Sequence, residues 1–272
     1  MLKICLLALV LFTSMADTRP LKIQIASDYN PSLGEEPRDL ATMLLLNVQR
    51  ELQGRVSLEF IPASRLREWR ELETYPNICL YNKVKTAERE AIALFVEYPL
   101  MAFPANRLIL RGHPNLPKKL SLKDIVVSKG LRVGVTKGRS YGKEVDDFIA
   151  TYRNNLIVGE GANSAYRLRE MLIQGKLDGI IEYTSVFIEH HKQQAQRDGV
   201  TYHQIESADL TIFGYIACAN SEQGRKAVSL FELALENSAL QQMIIDAHKG
   251  LFFKQEMVFI EQGLRDAYNI QP

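Results

Sequence analysis

The chain has 272 residues, of which 46% are hydrophobic and 24% charged, enough for two medium domains with cores of their own. Its 33 Lys plus Arg stand against 32 Asp plus Glu. That balance creates no broad electrostatic field, which speaks against a nucleic-acid partner.

The first predicted element is an export signal. Lys3 precedes an apolar run from Ile4 to Phe12, and Ser14 and Ala16 stand at the −3 and −1 positions of a cleavage site before Asp17. The run is too short to span a bilayer, so cleavage is the expectation and an uncleaved anchor the alternative. No Cys stands at the cleavage point, as a lipoprotein would require, and loss of Lys3 leaves 32 basic and 32 acidic residues. No later stretch has about 18 unbroken apolar residues, so residues 17–272 are expected to be soluble and periplasmic.

After the signal, strands and helices alternate. "LKIQIAS" (21–27) reads as a strand and "PRDLATMLLLNVQRELQG" (37–54) as a helix, with Pro37 near its start and Gly54 past its end. "RVSLEFIPA" (55–63) alternates Val56, Leu58 and Phe60 with polar residues, as a half-buried strand does. "SRLREWRELE" (64–73) carries Leu66, Trp69 and Leu72 at helical spacing, and "NICLYN" (77–82) is a further strand. This β-α-β-α-β order predicts a parallel sheet covered by helices.

A second series begins with the strand "LRVGVT" (131–136). The helix after it has Val145, Phe148, Ile149 and Tyr152 on one face, and a helix over 162–175 turns Ala165, Leu168 and Leu172 inward before Gly175. "LDGIIEY" (177–183) is a strand, a helix opens at Thr184 or Ser185, and "LTIFGYIACA" (210–219) returns as a strand before a helical C-terminus. The fold class is therefore α/β: two lobes, each a mainly parallel sheet flanked by helices. Residues 17–109 and 213–272 form a discontinuous first lobe and residues 110–212 an inserted second one. Crossovers near Leu108–Gly112 and Ala208–Ile212 are expected to act as a hinge.

Cys79 and Cys218 remain after removal of Cys5. An oxidising compartment permits a bridge between them, but each lies in an apolar strand-like run, and two buried free thiols are expected. Neither has a CxxC or His partner at metal spacing, and His190–His191 have no third ligand beside them, so no metal is expected. No nucleophile elbow, P-loop or HExxH pattern is present, and no catalytic residue or cofactor is assigned.

A ligand between two such sheets sits beyond the carboxyl ends of the strands. Three strand ends carry polar groups: Asp28 and Tyr29, the "KGRSYG" turn with Arg139 and Ser140, and Glu182. A helix N-terminus with a free hydroxyl at Ser140 is a ready anion site, although Ser140 could equally only cap its helix. Arg89, between Glu88 and Glu90, reads either as a solvated helix start or as a charge at a pocket edge. Tyr81 is a candidate pocket wall, and Trp69 and Asp178 read as structural.

"KTAEREAIALF" through "YPL", "SLKDI…LRVGVTKGRSYG" and "LREMLIQGKLDGIIEY", in that order, resemble segments of the type 2 periplasmic-binding fold. The likeness is to the family 3 extracellular solute-binding proteins, which include amino-acid receptors of ABC importers. The first segment is similar to the family's T-x-x-R. The resemblance implies that Arg89 grips a ligand carboxylate, Ser140 adds hydrogen bonds and Glu182 meets a ligand amino group. Asp28 and Tyr29 correspond to a first-lobe loop that touches the ligand, and Arg139 could clamp a second anionic group or stand solvated. The first-lobe half departs from the family pattern at "YNPSLGEEP", "CLYNKVK" and "FVEYPL", which leaves the ligand type open. The implied function is capture of a small amino acid or carboxylate by a monomer that serves an inner-membrane ABC permease. A periplasmic sensor, or a dehydratase-type enzyme on the same fold, is the alternative.

Overall fold

The computed structural model describes residues 19–29, 31, 34, 36–37, 39–161, 163–197, 199–206 and 208–270. The expected signal peptide and its cleavage point before Asp17 lie outside these residues.

Strand β1 (Leu21–Ser27) buries Ile23, Ile25 and Ala26. Helix α1 (Leu40–Glu51) starts at Asp39, whose carboxylate accepts from the Thr42 amide at 2.9 Å and the Thr42 hydroxyl at 2.6 Å. β2 (Val56–Pro62), α2 (Arg65–Thr74) and β3 (Ile78–Lys83) complete the expected order. β2 and β3 both pair with β1 in parallel, as crossover helices allow. There follow a one-turn helix α3 (Ala87–Glu90), β4 (Ala93–Phe95) and β5 (Met101–Pro104).

The second sheet holds β6 (Arg107–Arg111), β7 (Lys119–Leu120), β8 (Val133–Thr136), β9 (Leu156–Gly159), β10 (Gly179–Glu182) and β11 (Val200–Ile205). Around it lie α4 (Lys143–Thr151), α5 (Ser164–Ile173) and α6 (Thr184–Arg197). The chain then returns to the first sheet as β12 (Thr211–Ala219) and ends in α7 (Glu222–Leu235), α8 (Ser238–Ala247) and α9 (Lys254–Ala267). The strand orders are β2-β1-β3-β12-β4, with β5 on β12, and β7-β11-β6-β10-β8-β9.

The two helix-flanked sheets are those expected, but they are more mixed than the sequence suggested. β12 runs antiparallel to β3, β4 and β5, and β6 runs antiparallel to β10 and β11. The strands β4 to β7, β9 and β11 had not been read from the sequence. Several are short apolar runs of three to five residues, for which periodicity does not separate strand from buried helix. The chain passes between the sheets at Ala105–Asn106 and again between Ile205 and Thr211, where the Ala105 amide donates to the Leu210 carbonyl at 3.1 Å. The first passage lies ahead of the crossover expected near Leu108–Gly112, because residues 107–111 pair as β6 in the second sheet.

Each sheet has its own apolar interior. Leu44, Leu45 and Val48 of α1 and Phe231 of α7 are buried on the first sheet with Ile216 of β12, while Val133, Leu108 and Phe187 are buried on the second. A fully buried side chain of this size contributes about 1.5–3 kcal/mol. α7 approaches β12 so closely at its start that a Cβ on Gly224 would stand 1.8 Å from the Ala219 carbonyl oxygen. Only glycine fits there, and the Ser221 side chain caps the helix on the Gly224 amide at 2.8 Å.

Cys79 and Cys218 form a disulfide, which corrects the expectation of two free thiols. They are 139 residues apart in sequence, but β3 and β12 are neighbours in register Cys79↔Cys218, with Cα atoms 4.0 Å apart. The bridge locks the return strand of the first lobe to its central strand. Closing so long a loop restricts the unfolded chain, and removing the bridge is expected to cost about 2–4 kcal/mol. A Cys79→Ala/Cys218→Ala double variant should melt roughly 5–15 °C below the wild type in a thermal scan. A shift under about 2 °C would mean that the bridge adds nothing to stability.

Candidate functional site

The polar strand ends predicted from sequence separate into two groups. Arg89, Arg139, Ser140 and Glu182 meet where the lobes face each other. Asp28, Tyr29 and Tyr81 belong to the end of β1 and β3 within the first lobe.

Arg89 sits on the single turn of α3, whose N-cap Thr86 accepts from the Arg89 amide at 3.3 Å. Its guanidinium lies over the Trp69 ring, 4.9 Å from the centroid. Nη1 donates to the Val84 carbonyl at 2.9 Å, and Nη2 crosses to the second lobe to donate to the Gly138 carbonyl at 3.1 Å. Gly138 adopts φ 77°, and a Cβ there would stand 2.9 Å from Cδ2 of Leu66 on α2. The rims of the two lobes therefore touch at Gly138, and glycine supplies both the left-handed turn and the clearance. Arg89 is thus a residue of the lobe boundary and not a solvated helix start.

From Gly138 the chain turns Arg139 inward. Its side chain is only 12% exposed. The guanidinium lies 5.0 Å from the Tyr141 ring centroid and 4.7 Å from that of Tyr183. Nη1 pairs with Glu182 Oε1 at 2.6 Å, and Nη2 donates to Asn106 Oδ1 in the first crossover at 3.2 Å. Tyr183 in turn stacks on Phe103 of β5 at 5.0 Å and 19°. The Tyr141 ring is fixed by the Thr136 amide, which donates to its hydroxyl at 2.7 Å. The reading of Arg139 as a solvated loop residue is corrected: its guanidinium is caged.

Glu182, only 3% exposed, ends β10. Its Oε1 also accepts from the Tyr183 amide at 2.9 Å, and its Oε2 accepts from Arg169 Nη1 at 3.0 Å. Burial alone would raise its pKa, but the charge and hydrogen bond of Arg139, the Tyr183 amide and the charge of Arg169 outweigh burial and hold the carboxyl below its ordinary value. The resemblance implied a ligand amino group for Glu182; in this arrangement the carboxylate holds two guanidinium groups. A carboxylate this deeply buried stays ionised only when paired.

The Ser140 hydroxyl is buried and donates to the Asp146 carboxylate, while the Tyr141 amide donates to the other Asp146 oxygen at 2.8 Å. Ser140 thus ties the turn to α4, and the first turn of that helix carries its own anion in Asp146. Burial holds the Asp146 carboxyl above its ordinary range, against the hydrogen bonds from Ser140 and Tyr141 and the charge of Arg89 across the boundary.

In the first lobe, Asp28 is exposed and Tyr29 stands edge-on to Phe60 at 5.0 Å. Tyr81 is buried with its hydroxyl 2.6 Å from that of Thr42, and burial pushes its pKa up to about 12. It anchors β3 to α1. Arg169, Asn106, Tyr141, Tyr183 and Asp146 belong to the boundary cluster, yet sequence reasoning had not named them. Arg169 had a legible signal, since it lies between Leu168 and Leu172 on the inward face of α5.

Among the described residues no group of three or more His, Cys, Asp or Glu is placed to hold a metal, and no helix is long and apolar enough to cross a membrane. A surface hollow lined by Leu52, Arg55, Leu233 and Asn237 lies on the first lobe and shares no residue with the boundary cluster.

The chain was compared with solved structures. An ancestral arginine-binding protein bound to arginine is 17% identical, with a TM-score of 0.63 over 86% of this chain and 98% of that one. The two folds are the same. A structure from work on glutathione import in Gram-positive bacteria via GshT and the cystine ABC importer TcyBC of Streptococcus mutans is 16% identical. It gives 0.62 over 88% of this chain and 100% of that one. AbpA from Streptococcus pneumoniae, an amino-acid ABC transporter substrate-binding protein bound to L-arginine, is 16% identical and gives 0.58 over 93% and 97%. The chain therefore has the two-lobed fold of the solute-binding proteins over nearly their whole length. No protein-family model matches the chain, and no curated protein matches it in sequence.

Proposed function

We propose that the chain is an exported solute-binding protein that captures a small carboxylate-bearing ligand between its lobes and passes it to an ABC permease. Residues 17–104 and 211–272 move as one lobe and residues 107–205 as the other, as membership of the two sheets divides them. The two strand-to-strand passages between them serve as the hinge. The observation that carries the reading is Arg89, a guanidinium on the lobe boundary with the neutral carbonyls of Val84 and Gly138 among its partners. A carboxylate is a stronger, bidentate partner for that fork than a carbonyl, so a ligand carboxylate displaces the Gly138 carbonyl as the lobes rearrange. The fold shared with substrate-binding proteins of ABC transporters supports the same reading.

A thermal-shift screen of residues 17–272 against amino acids, small organic acids and polyamines tests it. At 100 times its dissociation constant a ligand adds about 2.7 kcal/mol, a rise of roughly 5–10 °C. Carboxylates are expected to raise the melting temperature and polyamines to leave it unchanged. Stabilisation by polyamines alone would refute the reading.

A further inference from the structure

The boundary cluster carries an inference that rests on the proposed binding function and narrows its ligand class. Two tyrosine rings, a carboxylate and an amide oxygen surround one guanidinium: Tyr141, Tyr183, Glu182 and Asn106 around Arg139. This set recognises a planar cation, with aromatic faces for the π contact and a carboxylate for the charge. The cage draws on both lobes, because Asn106 lies in a crossover and Phe103 of the first sheet stacks against Tyr183. Arg139 enters it from a surface turn whose neighbours Lys137 and Gly138 are exposed. The side chain therefore reaches inward as a tethered ligand would.

We infer that the cage is a cation-binding subsite whose resident occupant is Arg139 itself, so that the protein takes an anionic ligand and not a zwitterion or an amine. A second observation points the same way. Arg169 Nε is buried without a hydrogen-bond partner. The same guanidinium bonds Glu182 through Nη1. Nε can only donate, and two guanidinium groups share one carboxylate. A cluster with an unfilled donor and excess positive charge is matched by an acceptor group, whereas a further cation would be repelled.

The experiment vacates the cage. Arg139→Ala is titrated with ethylguanidinium and with agmatine, at low millimolar concentration against matched sodium chloride, by calorimetry and thermal shift. Arg139→Lys, which keeps a cation on the same turn, is the control for folding. The expected result is that Arg139→Ala melts below the wild type and regains stability with either guanidinium compound. It should bind them at least about tenfold more tightly than wild type or Arg139→Lys does. Equal binding of agmatine by wild type and Arg139→Ala would overturn the inference, as would an Arg139→Ala protein that is folded but gains nothing from either compound. If Arg139→Ala is recovered unfolded, refolding in the presence of ethylguanidinium is the readout: rescue supports the inference, and failure beside a folded Arg139→Lys overturns it. None of these outcomes uses the natural ligand, so they stand apart from success or failure of the carboxylate screen.

Discussion

Replacing Glu182 by alanine is expected to destabilise the protein by about 3–5 kcal/mol, because it strands two buried cations. The carboxylate is 3% exposed and satisfies Arg139 at 2.6 Å and Arg169 at 3.0 Å on opposite oxygens. Neither guanidinium can shed its proton to escape the cost, since an arginine stays charged throughout the ordinary pH range. The methylenes lost with the side chain add a smaller term. The effect has a pH signature. The folded Glu182 carboxyl titrates below its ordinary value of 4.5, so its contribution is complete above that value and is lost as the pH falls through the lowered one. Urea unfolding of wild type and Glu182→Ala at pH 7 measures the difference, and the same comparison near pH 3 should show it shrinking. Glu182→Gln separates charge from packing, because it keeps the shape and one acceptor oxygen while losing the charge. Coincident urea midpoints at pH 7 for all three proteins would remove Glu182 from any structural role. Replacing Glu182, Arg139 and Arg169 together by apolar residues of similar size need not cost as much, since a buried charge cluster repays its desolvation only in part.

The parts of the fold that were legible in the sequence are those with a clear period. Val56, Leu58 and Phe60 marked β2 by alternation, and Val145, Phe148, Ile149 and Tyr152 marked α4 by helical spacing. "RLILR" (107–111) is different: five residues with an unbroken apolar centre have no period to read, yet β6 is a central strand of the second sheet. The disulfide was hidden for a related reason. Apolar runs around Cys79 and Cys218 forecast burial, which is correct at 1% and 0% exposure, but pairing depends on strand order and register, and neither is written in local sequence. The site divides in the same way. The strand ends at Gly138–Ser140 and Glu182 and the short turn bearing Arg89 were legible because turns and polar strand ends are punctuated locally. What each side chain holds was not. Arg169 lies 13 residues before Glu182 on another element, and Asn106 in a crossover was unremarkable until the fold brought it to Arg139. A buried carboxylate is decided by its partners, and its partners are a tertiary property.

Arg89→Ala is expected to weaken binding of the carboxylate found by the screen by about two to three orders of magnitude, or roughly 3–4 kcal/mol. The figure follows from the strength of charge-assisted hydrogen bonds, about 1.5–3 kcal/mol each, made by a fork that engages both oxygens of a carboxylate. Arg89 is suited to this because its position is already determined. The Trp69 face supports the guanidinium plane at 4.9 Å, and the Val84 carbonyl orients Nη1 at 2.9 Å. Little side-chain freedom is then lost when the ligand arrives. Arg89→Lys should lose much of the same affinity, since an ammonium presents neither the planar fork nor the stacking surface. The fold itself should tolerate either change, with a loss within about 1 kcal/mol, because the side chain is partly exposed. Trp69 is the only tryptophan in the chain, and its ring carries the guanidinium. When a ligand carboxylate draws Arg89 away from the Gly138 carbonyl, the environment of that ring changes, so intrinsic fluorescence reports the event directly. The expected outcome is a saturable fluorescence change in the wild type that is absent in Arg89→Ala at the same ligand concentration, with calorimetry giving the affinities. Equal affinities for wild type and Arg89→Ala would mean that the ligand never reaches Arg89, and that its bond to Gly138 only holds the two lobes at rest.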